Sequence, residues 1–407
     1  MNKRAISLRA EHALKTVTPL LQFFSESRWA KRFGTPGICD FTIGNPHEMP
    51  MPAFVDALKH SVEPQDRYWY AYKMNEENPR RVVAASLKKW RGMEFEVEDI
   101  FLTNGATGAL AVVLHTIADA GNEVIYTTPS WFLYDSIIIN TGAVPVPVKA
   151  LPDSFDLDLD AIEEAITEKT SAVIVNSPHN PTGRVYSERT LRALSAILSR
   201  ASARYGHSVY LISDEAYARI IFDGMDFPSP AAFYDRTIVV YTYGKTLLTP
   251  GQRIGYLALH PAMPERAQLR KAIWSQQMLN SWAFPNALMQ HALGELDNIA
   301  IDVEGLQRKR DLVVRELSSM GYRMRPPEGT FYCLIRSPLA DDRVFVDMLA
   351  EHDVFCIPGS LQGAEGYFRL SLTGSEEMIG KALPIFRQVL QEARSSARAA
   401  APHLQPG

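Results

Sequence analysis

The sequence predicts an α/β protein in which a mostly parallel seven-stranded sheet, covered by helices, is joined to a smaller α+β domain. Three observations predict this. Seven short runs of β-branched, aliphatic and aromatic residues fall at 100–103, 123–127, 143–148, 172–176, 209–213, 237–242 and 254–259, and such runs mark strands buried on both faces. Between several of them lie stretches whose apolar residues recur at three and four, such as 107–120 and 187–205. Strand–helix alternation of this kind builds a parallel, helix-covered sheet. After about residue 300 the order changes to a long charged helix at 303–320, strands at 331–335 and 367–371, and a last helix at 375–394.

In chain order, residues 1–55 read as an arm and a crossing segment that belongs in part to the smaller domain. Pro46, Pro50 and Pro52, three prolines in seven residues, exclude a helix or central strand and mark a loop. Residues 56–300 form the large domain and 301–394 the smaller one. The tail, 395–407, is small residues, Pro and Gly, and is expected to be disordered.

Composition narrows the function classes. The chain has 407 residues, 46% hydrophobic and 22% charged, with a net charge of -4. That balance gives no reason to expect nucleic acid or an anionic membrane as partner. Cys39, Cys333 and Cys356 are too few and too scattered for a disulfide framework, and no metal site is expected. The N-terminus is interrupted by Arg9, Glu11, His12 and Lys15 and lacks the apolar core of a signal peptide. No apolar run approaches the roughly 20 residues of a membrane span, so a cytoplasmic location is expected.

In a sheet of this kind ligands bind at the carboxyl ends of the strands, and polar or small residues stand at nearly every such end. Gly105, Ala106 and Thr107 open the helix after the first strand, where free N–H groups and the helix dipole suit a phosphate; Asn104 or Thr107 as a simple helix cap is the other reading. No G-x-G-x-x-G or G-x-x-x-x-G-K-[ST] pattern occurs, which argues against dinucleotide and nucleotide chemistry. Trp131, after the second strand, offers a ring on which a flat ligand can stack. The run Asn176 to Gly183, with Pro178 and Pro181, forces a rigid turn that presents the Asn180 amide. Asp214 ends an apolar strand with no basic residue adjacent in sequence, so a ligand's protonated ring nitrogen would satisfy it. Tyr217 offers a phenol to the same ligand. Thr242, Lys245 and Arg253 follow, supplying a hydroxyl, an amine on a short connection between two buried strands, and an anion-binding guanidinium. One ligand uses all of these parts: pyridoxal 5'-phosphate, with its carbonyl, ring nitrogen, ring oxygen and phosphate.

The sequence Asn180-Pro181-Thr182-Gly183, the Asp214-x-x-Tyr217 pair and the spacing from Lys245 to Arg253 resemble those of the class I/II aminotransferases, the fold-type I pyridoxal-phosphate enzymes, over about residues 40–392. The resemblance implies that Lys245 carries the cofactor as a Schiff base and later moves the proton between the substrate Cα and the cofactor. It implies that Asp214 keeps the pyridine nitrogen protonated, that Tyr217 and Asn180 bind the ring oxygen, and that Trp131 stacks on the ring. Gly105, Ala106, Thr107, Thr242 and Arg253 would bind the phosphate. Tyr70 matches the tyrosine lent to the partner subunit's phosphate, which implies a homodimer with shared active sites. Arg369, in Tyr367-Phe368-Arg369-Leu370-Ser371, matches the arginine that grips the substrate α-carboxylate, a bidentate task that lysine cannot perform. Gly44 and Asn180 would face the same carboxylate.

The chain departs from the family pattern at Gly244, where a serine is usual, at Asn75-Glu76-Glu77-Asn78-Pro79, and at Leu361-Gln362, where an aromatic residue is common. These changes bear on substrate and reaction type. The leading expectation is ping-pong transfer of an amino group between an α-amino acid and a 2-oxo acid. The alternative is a pyridoxal-phosphate lyase, cyclase or oxidase, motivated by His47, three residues past Gly44. A non-catalytic sensor is the third possibility, disfavoured because no DNA-binding domain fits before residue 40. No arginine is clearly placed for a side-chain carboxylate, which disfavours aspartate as donor, and Tyr68, Trp69, Tyr70, Tyr72 and Trp282 are candidates to line a pocket or pack an interface.

Overall fold

The computed structural model of the chain describes residues 5–400. Seven strands form the large sheet: β1 (Ile100–Thr103), β2 (Glu123–Thr128), β3 (Val144–Lys149), β4 (Thr170–Asn176), β5 (Tyr210–Asp214), β6 (Thr237–Thr242) and β7 (Gly255–Leu259). Their spatial order is β1-β7-β6-β5-β4-β2-β3. Neighbours pair in parallel except β7, which runs antiparallel to both β6 and β1. The exception has a simple cause. The link from Thr242 to Gly255 holds only the one-turn helix Tyr243–Thr246, too little for the helical crossover that a parallel return needs.

Strands β4 and β6 are buried along their whole length, as their apolar centres, Ala172 to Val175 and Ile238 to Tyr241, require. Helices cover both faces, among them Gly105–Ile117, Tyr134–Thr141, Glu188–Tyr205 and Arg266–Leu279. The Glu188–Tyr205 helix is capped by the Ser187 hydroxyl, which accepts from the Thr190 N–H, and it stops at Gly206 in the left-handed region. The departure at Asn75 has a structural role on the edge strand β1. The Leu102 N–H donates to Asn75 Oδ1 at 2.7 Å, and the Leu102 carbonyl accepts from Gln277 Nε2 at 2.6 Å, so polar groups at a sheet edge are satisfied by side chains.

A second, four-stranded antiparallel sheet comprises β8 (Arg323–Met324), β9 (Tyr332–Arg336), β10 (Ile357–Pro358) and β11 (Tyr367–Ser371), in the order β10-β11-β9-β8. The helices Val303–Met320, Asp342–Glu351 and Glu376–Ala400 accompany it. Its core gathers Phe331, Cys333, Phe345, Phe368 and Phe386. The amino-terminal part of the chain contributes here, because Cys39–Asp40 pairs in parallel with Val354–Phe355. The first helix, Leu8–Glu26, also reaches the large sheet's cover through a 2.9 Å hydrogen bond between Thr16 and Ser136.

The last helix runs to Ala400, so residues 395–400, expected as part of a disordered tail, continue it. The rest of that tail lies outside the described residues. Among the described residues no helix is long and apolar enough to cross a membrane.

Candidate active site

The carboxyl ends of β1, β2, β4, β5 and β6 open on one cavity. Because β7 is antiparallel, its amino end lies at the same edge, and this brings Arg253 to the cavity. The lining includes Gly44, Ala106, Thr107, Trp131, Asn180, Asp214, Tyr217, Thr242, Gly244, Lys245, Arg253 and Arg369. Eleven of the thirteen residues singled out from the sequence therefore meet at one place, and Gly105 stands directly behind the lining. Tyr70 does not. It is 56% exposed, and its hydroxyl donates to the Val62 carbonyl outside this cavity.

At one end of the cavity the helix Gly105–Ile117 starts without a side-chain cap, since Asn104 makes no capping hydrogen bond. The simple-cap reading is thereby set aside, and the first N–H groups remain open to a ligand. Gly105 has φ +75°, and a β-carbon there would stand 3.0 Å from Arg253 Nη2 and 3.2 Å from Thr242 Oγ1. Only glycine lets the backbone come so close to both donors. Arg253 donates to the Pro250 carbonyl at 2.8 Å and has no carboxylate partner among the described residues. Backbone N–H groups, a hydroxyl and an unneutralised guanidinium converge on one point, which is the composition of an anion site.

In the middle, Asp214 is buried, and burial pushes its carboxyl above the ordinary range. Two donors hold it: the Tyr134 hydroxyl to Oδ2 at 2.6 Å and the Ala216 N–H to Oδ1 at 3.2 Å. Sequence reasoning left Asp214 without any neighbour. Tyr134, which the sequence did not single out, opens the helix Tyr134–Thr141 three residues after Trp131, and its ring stands edge-on to Trp131 at 5.6 Å. No cation bonds Asp214 among the described residues, so its desolvation is only partly offset.

Lys245 stands in the one-turn helix Tyr243–Thr246, where Thr242 Oγ1 accepts from the Gly244 N–H. The lysine is half-buried, and its Nζ lies 5.8 Å from the ring centroids of both Tyr217 and Phe331. The turn is pinned from outside the cavity. The Tyr241 hydroxyl bonds Thr246 Oγ1 at 2.6 Å, and the Tyr243 hydroxyl donates to Asp297 at 2.9 Å. At Gly244, a departure in the sequence, a β-carbon would make a tight contact of 3.2 Å with Pro250 Cα.

At the far wall Arg369, at the centre of the small sheet on β11, is 1% exposed. Its Nη1 donates to Asn180 Oδ1 at 2.9 Å and its Nη2 to the Thr42 carbonyl at 3.0 Å. Its guanidinium lies over the ring of Tyr332, a cavity residue the sequence reading did not single out although it lay in a predicted strand. Burial alone would push the Tyr332 phenol up, but Arg369 and Lys245 outweigh it and hold the phenol below its ordinary value. Gly44 is needed for space, since a β-carbon there would run into the Phe331 ring and stand 2.7 Å from the Tyr332 hydroxyl. His47 is exposed and lies outside the cavity, in a neighbouring groove where Glu48 pairs with Lys309. The position of His47 therefore removes the motive for a diverted reaction.

Comparison with known proteins agrees with this geometry. The family model for aminotransferase class I and II matches residues 36–385. A probable aspartate/prephenate aminotransferase of Thermus aquaticus is 33% identical over 86% of this chain and 91% of its own. The aspartate/prephenate aminotransferase of Thermus thermophilus is 32% identical over the same shares. Among solved structures, an aminotransferase from Eubacterium rectale superposes with a TM-score of 0.84 at 29% identity, covering 96% of each chain. With its α/β fold, its clustered strand-end residues and a family match across most of its length, the chain belongs to the class I and II aminotransferases and is an enzyme that transfers amino groups.

Proposed function

We propose that the enzyme uses pyridoxal 5'-phosphate, acts as a cytoplasmic homodimer, and passes an amino group from an α-amino acid to a 2-oxo acid in two half-reactions. The observation that carries this reading is the arrangement around Lys245, in which a desolvated Asp214 carboxylate and an uncapped anion site with Arg253 stand at one cavity. The residues fit the cofactor: a carboxylate short of a cation suits a protonated ring nitrogen, open N–H groups and Arg253 suit a phosphate, and Trp131 offers a ring face. When bound, pyridoxal phosphate supplies an electron sink for the substrate Cα.

The chain's own residues do the rest. Asp214 holds the proton on the ring nitrogen. Asn180 Nδ2 and the Tyr217 hydroxyl donate to the ring oxygen. Lys245 Nζ takes the proton from the substrate Cα and returns one during transfer. Arg369 supplies the cation for the substrate α-carboxylate, which fixes the Cα–H bond relative to Lys245.

Tyr70, exposed beside Tyr68 and Tyr72, supports a partner-facing role. The buried free thiols of Cys39, Cys333 and Cys356 suit a reducing compartment. The remaining lining is largely apolar, with Ile43, Leu110, Phe132 and Pro250, and its cations Lys245, Arg253 and Arg369 are all committed. The apolar part of this lining suits donors with uncharged side chains, whereas the names of the relatives point toward aspartate.

Adding amino acids singly to the cofactor-loaded protein should bleach its yellow colour, and a 2-oxo acid should restore it. Lys245→Ala should abolish the cycle. A loaded protein whose colour no amino acid alters would overturn the proposal.

A further inference from the structure

Gln362 closes the single turn Gly359–Gln362 between β10 and β11 and is 2% exposed. Its Nε2 lies 3.3 Å from the Ser130 carbonyl and 3.4 Å from Asn180 Oδ1, and its own carbonyl accepts from the Ser130 N–H at 2.9 Å. Its Oε1 has no partner among the described residues although it is buried. That asymmetry is informative. Turning the carboxamide over would set Oε1 against two other oxygens, those of Ser130 and Asn180, so the neighbours demand its N–H end even at the expense of a buried acceptor.

Asn180 is an amide with two opposite ends, and its orientation is decided by whatever surrounds it. Arg369 Nη1 and Gln362 Nε2 converge on the same end, which must therefore be Oδ1. Asn180 Nδ2 is thereby directed to the cavity. Arg369 alone would suffice while its donors face Asn180. A substrate carboxylate that engages that guanidinium competes for Nη1, and Gln362 Nε2 is then the second donor that keeps the amide from turning over.

We infer that Gln362 is a positioning residue that fixes which end of the Asn180 amide faces the cavity, so that a donor stays directed at the ring oxygen while Arg369 is occupied by substrate. The inference rests on the cofactor reading above. A phenylalanine at this turn would have no N–H to give.

The test uses the full-length, cofactor-loaded enzyme with Gln362→Met, which keeps the shape without the donor, and Gln362→Glu, which replaces the donor with an acceptor. Losing a donor to the ring oxygen disfavours its anionic form, so with a simple carboxylate such as propionate bound at Arg369 the pH at which the bound chromophore changes colour should rise by about half a unit to one unit, and without it should stay near that of the wild type. KM for the amino acid should rise roughly threefold to tenfold with Gln362→Met and further with Gln362→Glu. In an Asn180→Ala background neither substitution should add to these changes. Unchanged colour titration and KM in both variants, or shifts that persist in full with Asn180→Ala, would overturn the inference and leave Gln362 as filling. A wild-type protein that takes up no pyridoxal phosphate would instead overturn the cofactor reading. Melting temperature reports folding, and the two substitutions test the inference separately if one does not fold.

Discussion

The guanidinium carbon of Arg369 lies 3.8 Å from the centroid of the Tyr332 ring, and both residues are buried. A desolvated cation over an aromatic face is held by about 2 kcal/mol, which adds to the hydrogen bonds to Asn180 and Thr42. Tyr332→Leu removes the platform and should raise KM for the amino acid roughly tenfold to thirtyfold. Tyr332→Phe keeps the ring and should stay within about threefold. Steady-state kinetics of both variants check this, and equal effects would show that the hydroxyl, not the ring, matters.

Gly44→Ala places a methyl group where the Phe331 ring and the Tyr332 hydroxyl already stand. Overpacking of this kind costs about 1–3 kcal/mol. The variant should unfold at lower urea concentration than the wild type and bind the amino acid more weakly, because the displaced Tyr332 carries Arg369 with it. Denaturant titration and KM are the measurements.

Tyr134→Phe leaves Asp214 with the Ala216 N–H alone. A hydrogen bond to a charged group is worth about 1.5–3 kcal/mol, so retention of pyridoxal phosphate should weaken by at least about tenfold in equilibrium dialysis. The sign of the pH effect follows from burial. With the Asp214 carboxyl raised, the cofactor-free folded chain keeps a proton that the unfolded chain has released. Its contribution to stability is full below the ordinary carboxylate range and declines as pH rises through the raised value. Adding the cofactor should reverse that decline.

His179, beside Asn180, is buried with its Nδ1 2.8 Å from Thr182 Oγ1, and burial lowers its pKa to about 4, opposed by a bond to the Pro129 carbonyl. The unfolded chain takes up a proton on this imidazole near pH 6.5 and the folded chain does not. Stability should therefore hold above about 6.5 and fall as pH drops toward about 4, by up to about 3 kcal/mol. Urea midpoints across that window should fall less steeply in His179→Gln. Parallel slopes would contradict the assignment.

The sequence by itself determined the sheet and the contents of the cavity. Strands buried on both faces must be written as unbroken apolar runs, and in a parallel sheet each strand delivers its next few residues to one edge, so Thr107, Trp131, Asn180, Asp214, Tyr217 and Lys245 could be placed together from local sequence. What only the tertiary structure decided were the contacts between residues far apart in the chain. Tyr134 reaches Asp214 from another helix, Tyr332 and Gln362 come from the small sheet, and the antiparallel return of β7 carries Arg253 to the edge. None of these leaves a periodic trace, because a side chain that bonds across the fold obeys the packing of two elements rather than the spacing within one.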